Sequence, residues 1–363
     1  MELKAISASR ISSIDALRGL AVILMIQQHL LGWLWKRPVM DFQEMARQFP
    51  LMMTLNGLGM LAAPLFIALA GWGASTFLIE QGRKGILLLK RGGALLLTGY
   101  LLNLLTPHWF SPGSWFVLHL IGASLLLAPL LVRLKSGALL SLYFMVLLIS
   151  VLLQYFLNTP LLLTEEHMRN LSLPGSVLRL ALAEGQFPLF PWLALFVLGM
   201  ASARWFSEGR RRRFFLLALS FFGGAVVLSL LYKTGLPFFT RGPLFRLFVP
   251  TPYMFPALTP YLLIASAFVL LMLGLSARAS ERPPHTIMGV LSPLGRVSLT
   301  AFLSHILLFC ELSRLLGFYE GFSERGTVTV IVLVLLVYII LAKFWSRWAF
   351  CGSVEDWLKR LTA

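Results

Sequence analysis

The chain alternates between long apolar runs and short polar stretches. Ten runs stand out, at about 13–35, 57–79, 86–105, 114–132, 137–157, 187–206, 214–232, 256–275, 290–312 and 326–346. Each is close to the roughly 20 apolar residues a helix needs to cross a bilayer core of about 30 Å. The runs are continuous rather than alternating, which excludes a porin-like barrel. The pattern predicts an all-α, polytopic transmembrane helical bundle of about ten spans. The longest intervening stretches, 36–56 and 158–186, are too short for independent domains. Residues 1–363 therefore read as a single integral-membrane domain. Pro64 predicts a kink in the second run, and Gly57, Gly59, Gly71 and Gly73 around it predict close helix packing.

Composition sharpens this picture. Of 363 residues, 58% are hydrophobic and 13% charged, the latter about half the share in a soluble domain. Mean hydropathy is +0.81. A soluble enzyme, a disordered chain and a secreted disulfide scaffold are excluded. The first run carries Asp15 and Arg18 and lacks a small-residue cleavage site, so it reads as a span and not as a cleaved leader. Cys310 and Cys351 form no CxxC or Cys/His cluster, so no metal site is expected.

The net charge of +16 suits loops facing anionic lipid better than nucleic acid, which is not expected as a partner. Alternating the loops between two sides places 21 of the 31 Lys and Arg on one side. The positive-inside rule then makes both termini cytoplasmic. Membrane lipids are the expected surroundings, in a cytoplasmic (inner) membrane. The oligomeric state stays open, a homodimer included.

Candidate chemistry begins in the first run. Asp15 and Arg18 are three apart, hence neighbours on a helix face. His29 lies eleven residues beyond Arg18, close to three full turns and about 16 Å further along. The three form one stripe, and ionisable groups inside a span usually face a bundle interior or a wet cavity. The plain alternative is an interfacial ion pair plus a packing histidine. His119 and His305 also lie in runs, where a helix-packing hydrogen bond is the plain reading. His108, Trp109 and Trp115 sit where an interfacial aromatic belt would place them, and His167 and His285 are loop residues without a signal. Lys84, Lys90, Arg91, Arg210 and Arg211 lie on the basic side, where they could grip phosphates or simply meet lipid headgroups. GxGxxG and Walker patterns are absent.

Several segments together carry a resemblance. Residues 13–25 read SIDALRGLAVILM, 117–131 VLHLIGASLLLAPLL, 187–204 FPLFPWLALFVLGMASAR and 293–309 PLGRVSLTAFLSHILLF. The sequence resembles the heparan-alpha-glucosaminide N-acetyltransferase catalytic-domain family of bacterial members, within the transmembrane acyltransferase superfamily. The tail WAFCGSVEDWLKRL, 348–361, is similar to the closing GPxEWxxR motif of YeiB-like relatives. The resemblance implies a membrane-embedded acyltransferase. It would move an acyl group, usually acetyl, from acyl-CoA to a hydroxyl or amine of a glycan or similar acceptor. O-antigen-acetylase relatives carry an Arg and a His in the first span, matched here by Arg18 and His29. The lysosomal member has its active histidine after that span, whereas loop 36–56 here has none.

Acyl transfer needs a base for the acceptor, a role an imidazole fits. It also needs donors for the oxyanion. The catalytic candidates are therefore His29, Asp15 and Arg18. His305, His119, Asn103, Ser304 and Trp192 are secondary candidates. Arg18, Lys84, Lys90, Arg91, Arg210 and Arg211 are candidates for the CoA phosphates, with acetyl-CoA or another acyl-CoA as co-substrate and no metal. The rival reading is a proton-coupled transporter or lipid flippase using the same Asp, Arg and His as a relay. The two halves show none of the internal repeat that transporters often carry.

Overall fold

The computed structural model describes residues 2–80, 85–172, 175–280 and 286–361, with side chains from Ser12 onward. Lys84, a candidate phosphate ligand, lies outside the described residues. The described chain is an all-α polytopic bundle. Among the described residues, nine helices are long and apolar enough to cross a membrane. The remaining predicted span, the fourth, is a shorter apolar helix, Val117–Leu131.

The principal helices are α1 (Glu2–Leu34), α2 (Pro50–Gly59), α3 (Ala62–Glu80), α4 (Gly85–Leu105), α5 (Val117–Leu131) and α6 (Ser136–Phe156). They continue as α7 (Leu189–Ser207), α8 (Arg212–Lys233), α9 (Thr259–Ala279), α10 (Thr286–Arg296), α11 (Ser298–Ile306), α12 (Glu324–Trp345) and α13 (Val354–Leu361). The described residues form two compact units, one from those within 2–66 and 278–361, the other from those within 67–277.

Three predicted spans differ in detail, each for a local reason. The second run is broken into α2 and α3 at Met60–Leu61. Pro64 lacks the N–H that would bond the Met60 carbonyl, and this relaxes the ladder there. The fourth begins later than predicted, because Trp115 and Phe116 precede the helix and His119 caps it. The Phe116 amide donates to His119 Nδ1 at 3.3 Å. At the other end of α5, the Arg204 guanidinium donates to the Val132 and Leu134 carbonyls. The ninth run is split at Val297, whose φ/ψ of −115°/31° interrupts α10 and α11, and α11 passes into a π-helical turn at Leu307–Leu312.

Small residues set the closest approaches, as in membrane bundles generally. In the first unit, a Cβ on Gly19 would lie 2.1 Å from the Leu291 carbonyl oxygen, and one on Gly295 would lie 1.8 Å from that of Asp15. Helices α1 and α10 thus meet backbone to backbone beside the Asp15–Arg18 pair. Gly59 instead makes room for the Gln28 side chain, whose Cβ would lie 2.3 Å from an added Cβ, whereas Gly57 has open space around it. The end of α1 is tied down as well: the Lys36 amide donates to Phe322 O at 2.9 Å, and the Phe322 amide to Leu34 O at 3.0 Å.

The second unit is organised on α7, which is almost entirely buried. Gly71 and Gly199 allow α3 and α7 the same close contact, against the Phe196 and Ala68 carbonyls. Gly92 and Gly122 do so for α4 and α5. A hydroxyl pair, Tyr143 and Ser266 at 2.8 Å, joins α6 to α9.

Candidate functional site

His29 projects from the last third of α1 and His305 from the end of α11, both in the first unit. His29 Nδ1 and His305 Nε2 are 2.8 Å apart. The rings are nearly parallel, 11° between planes with centroids 5.1 Å apart. Trp33, one turn beyond His29, lies against both rings at 5.1 and 5.7 Å. His305 is fully buried, and its Nδ1 is 2.8 Å from the Ala301 carbonyl.

These contacts fix the tautomers by elimination. A carbonyl oxygen only accepts, so in the neutral ring His305 Nδ1 carries the proton and donates it to Ala301. His305 Nε2 then presents its lone pair and accepts from His29 Nδ1–H. In the neutral pair the basic nitrogen of His29 is therefore Nε2. Such a chain, carbonyl to imidazole to imidazole, orients a proton acceptor in the way a third group orients the base of a catalytic triad.

Asp15 and Arg18 do pair, at 2.7 Å. Asp15 is buried, whereas the Arg18 side chain keeps 32% of its exposure. They sit about three to four turns before His29 on the same helix, so the structure joins His29 to His305 and leaves Arg18 toward the other end of the stripe.

The remaining candidates separate by unit. Ser304, in the first unit, shares a 2.8 Å hydrogen bond with the Tyr338 hydroxyl. With Thr300, Ala301 and Tyr338 it lines a mostly apolar cavity of about 720 Å³ beside α12. His119, Asn103 and Trp192 are all buried in the second unit. His119 caps its own helix instead of bonding a neighbouring one, and its ring packs on Gly99, Tyr100 and Trp115. Asn103 Nδ2 donates to the Ser114 carbonyl at 2.9 Å and to that of Pro112 at 3.3 Å, holding the loop that leads into α5. Trp192 packs against Phe187. Of the basic candidates in this unit, Lys90 is exposed, Arg91 stacks over Phe77 and Arg211 lies over Phe206. Arg210 pairs with Glu208 at 2.9 Å. Among the described residues no group of three or more His, Cys, Asp or Glu could hold a metal ion.

One ionic cluster carries no sequence signal. Glu184, fully buried in the 158–186 stretch, accepts from Thr159 Oγ1 at 2.5 Å, His167 Nε2 at 3.0 Å and Arg179 Nη2 at 2.9 Å. Arg179 Nε donates to the same carboxylate. Burial pushes the Glu184 carboxyl up, but the hydrogen bonds from Arg179, Thr159 and His167 outweigh it and hold the carboxyl below its ordinary value. Buried Arg246 donates to the Thr159 carbonyl beside this cluster. Its parts are spread over nearly 90 residues, so no local spacing could have revealed it.

Comparison with known proteins agrees with the architecture. Residues 10–242 match the model described as heparan-alpha-glucosaminide N-acetyltransferase, catalytic. Residues 200–363 match one described as a protein of unknown function, DUF418. No curated protein matches the chain. His29 falls in the first match and His305 in the second, and the fold brings the two together. With well over half of its length in the first match, this multi-pass membrane protein belongs to the heparan-alpha-glucosaminide N-acetyltransferase catalytic family.

Proposed function

We propose that this protein is a membrane acyltransferase that moves an acyl group, acetyl in the usual case, from acyl-CoA to a hydroxyl or amine acceptor, with His29 as general base. The observation that carries the reading is the His29–His305 contact inside the bundle of a chain belonging to an acetyltransferase family. His29 Nε2 takes the proton of the acceptor O–H or N–H as that atom attacks the thioester carbonyl. The imidazolium then returns the proton to the departing thiolate as the C–S bond breaks, so the histidine ends neutral. His305, anchored on Ala301, holds the ring and its tautomer.

Topology supports a path for this chemistry. The partition of Lys and Arg puts both termini in the cytoplasm. Arg18 then lies toward the cytoplasmic end of α1, on the side of the CoA donor, and His29 lies about 16 Å deeper. Asp15 holds Arg18 in place. Lys90, Arg91, Arg210 and Arg211 add positive charge on that side, with Lys84 in the same stretch of sequence. A glycan of the cell envelope is the acceptor class that the family suggests.

The test is transfer of labelled acetyl from acetyl-CoA to a membrane-glycan extract by purified protein, followed by mass spectrometry. Wild type should label the extract, and His29→Ala should not. Proton-coupled flux that is lost in His29→Ala, with no acyl transfer by any variant, would decide for a transporter.

A further inference from the structure

The C-terminal segment reaches the helix that carries His305. Helix α11 starts afresh after the break at Val297, and a valine offers no side-chain acceptor for the amides of a first helical turn. Those amides are served from the far end of the chain. Glu355 Oε1 accepts from the Leu299 amide at 2.6 Å and from the Thr300 amide at 3.1 Å. The Thr300 hydroxyl donates to Glu355 Oε2 at 2.6 Å. The same hydroxyl accepts from the amide of Val354, the first residue of α13, at 2.9 Å. Two helix N-termini thus share one carboxylate and one hydroxyl.

The tail is itself held firmly around this junction. The Asp356 amide donates to Ser353 Oγ at 3.1 Å, and the Gly352 amide to the Asp356 carboxylate at 3.2 Å, a reciprocal cap. Trp345 Nε1 donates to the Cys351 carbonyl at 2.9 Å. The Arg296 guanidinium, just before the break, lies 4.6 Å from the centre of the Phe350 ring.

Register links this cap to the histidines. A helix turns about 100° per residue, so whatever fixes the first turn of α11 fixes the direction of His305. The links are consecutive: Glu355 holds Thr300, the next residue Ala301 accepts from His305 Nδ1, and His305 Nε2 accepts from His29. A carboxylate at a helix N-terminus also meets the positive end of the helix dipole.

We propose that Glu355 is a positioning residue for the His29–His305 pair, and that the C-terminal helix α13 is therefore part of the working enzyme. This rests on the acyl-transfer reading of that pair, while the cap itself can be measured independently. The experiment compares full-length, detergent-purified wild type with Glu355→Ala, Glu355→Gln and Thr300→Val. It reads hydrogen–deuterium exchange of the 298–306 segment together with steady-state acetyl transfer from acetyl-CoA.

Glu355→Ala should speed exchange in 298–306 and lower kcat by about 10- to 100-fold, the scale of a small misplacement of a catalytic group. KM for acetyl-CoA should hold, because donor contacts are untouched. Glu355→Gln keeps one neutral carbonyl oxygen for the two amides and loses the acceptor for the Thr300 hydroxyl, so it should recover part of both signals. Thr300→Val, which keeps the shape and removes only the bridging hydroxyl, should show the same pattern more weakly. Unchanged exchange in Glu355→Ala overturns the cap, and faster exchange with unchanged kcat overturns the positioning role. A His29→Ala variant that stays active would overturn His29 as the base, and absence of acetyl transfer by wild type would overturn the acyl-transfer reading itself. If His29→Ala is inactive and Glu355→Ala is fully active, the positioning role alone falls.

Discussion

The coupling between His29 and His305 can be measured by removing them singly and together. His29→Ala deletes the proposed base, a loss that typically costs about 10²–10⁴-fold in rate. His305→Phe keeps an aromatic ring against Trp33 and Phe302 and removes the acceptor that sits 2.8 Å from His29 Nδ1. A neutral hydrogen bond is worth about 0.5–1.5 kcal/mol, or about 2- to 12-fold in the ratio of His29 rings with the proton on Nδ1 to those with it on Nε2. Loosening of the ring adds an orientation loss that can approach 100-fold for a displacement of about 1 Å. The single His305→Phe change should therefore lower kcat about 10- to 100-fold, with KM for the donor little changed. If His305 acts only through His29, as proposed, the double variant should be no slower than His29→Ala alone. Acetyl transfer from labelled acetyl-CoA gives the rates, and melting temperature in the same detergent checks that each variant is folded. A double variant slower than His29→Ala by the full His305→Phe factor would show that the two histidines act independently. A fully active His305→Phe would reduce their contact to packing.

Three further outcomes follow from other parts of the structure. Arg18→Ala removes the partner of Asp15 and the proposed contact to donor phosphate, so acetyl-CoA affinity measured by calorimetry should fall about 10- to 150-fold, the equivalent of 1.5–3 kcal/mol for a charge-assisted hydrogen bond; unchanged affinity would leave Arg18 a structural partner of Asp15 only. Gly295→Ala places a Cβ 1.8 Å from the Asp15 carbonyl oxygen and should destabilise the protein by about 1–3 kcal/mol through forced backbone movement, seen as a lower melting temperature, whereas Gly289→Ala, with open space around it, should not. The Glu184 carboxyl is held below its ordinary value, so its contribution to stability is present in full above the unfolded carboxylate pKa of about 4.3 and is lost as pH falls through the lower folded value; wild type should lose melting temperature on going from pH 7 into that acid window, and Glu184→Gln should be less stable at pH 7 and lose less over the same interval.

How much of this was legible in advance depended on distance along the chain. The apolar runs specified helices because a backbone in hydrocarbon must satisfy its own hydrogen bonds. The Asp15–Arg18 pair followed from spacing three on one helix, and the break near Pro64 from its missing amide hydrogen. The close approaches at Gly59 and Gly71 followed from the absence of a side chain. Trp33 was also within reach, one turn from His29 on the same face. The length of α5 was not, since it is set by His119 folding back on Phe116 and by Arg204 arriving from α7. Nor was the break at Val297, where Glu355 competes for amides that the ladder would otherwise use.

Periodicity in one segment reports which residues share a face of one helix, and it carries no information about which helix that face meets. His29 and His305 are 276 residues apart, Thr300 and Glu355 are 55 apart, and Glu184 draws its partners from 5, 17 and 25 residues earlier in the chain. Each of these contacts depends on the rotation of a helix about its axis and on its neighbours in the bundle. Those are set by the summed packing of many apolar side chains and by glycines that let backbones touch. The sequence therefore determined a membrane-spanning helical protein with a charged stripe on its first helix. Only the folded bundle decided that His305 completes that stripe and that the last helix of the chain caps the one carrying it.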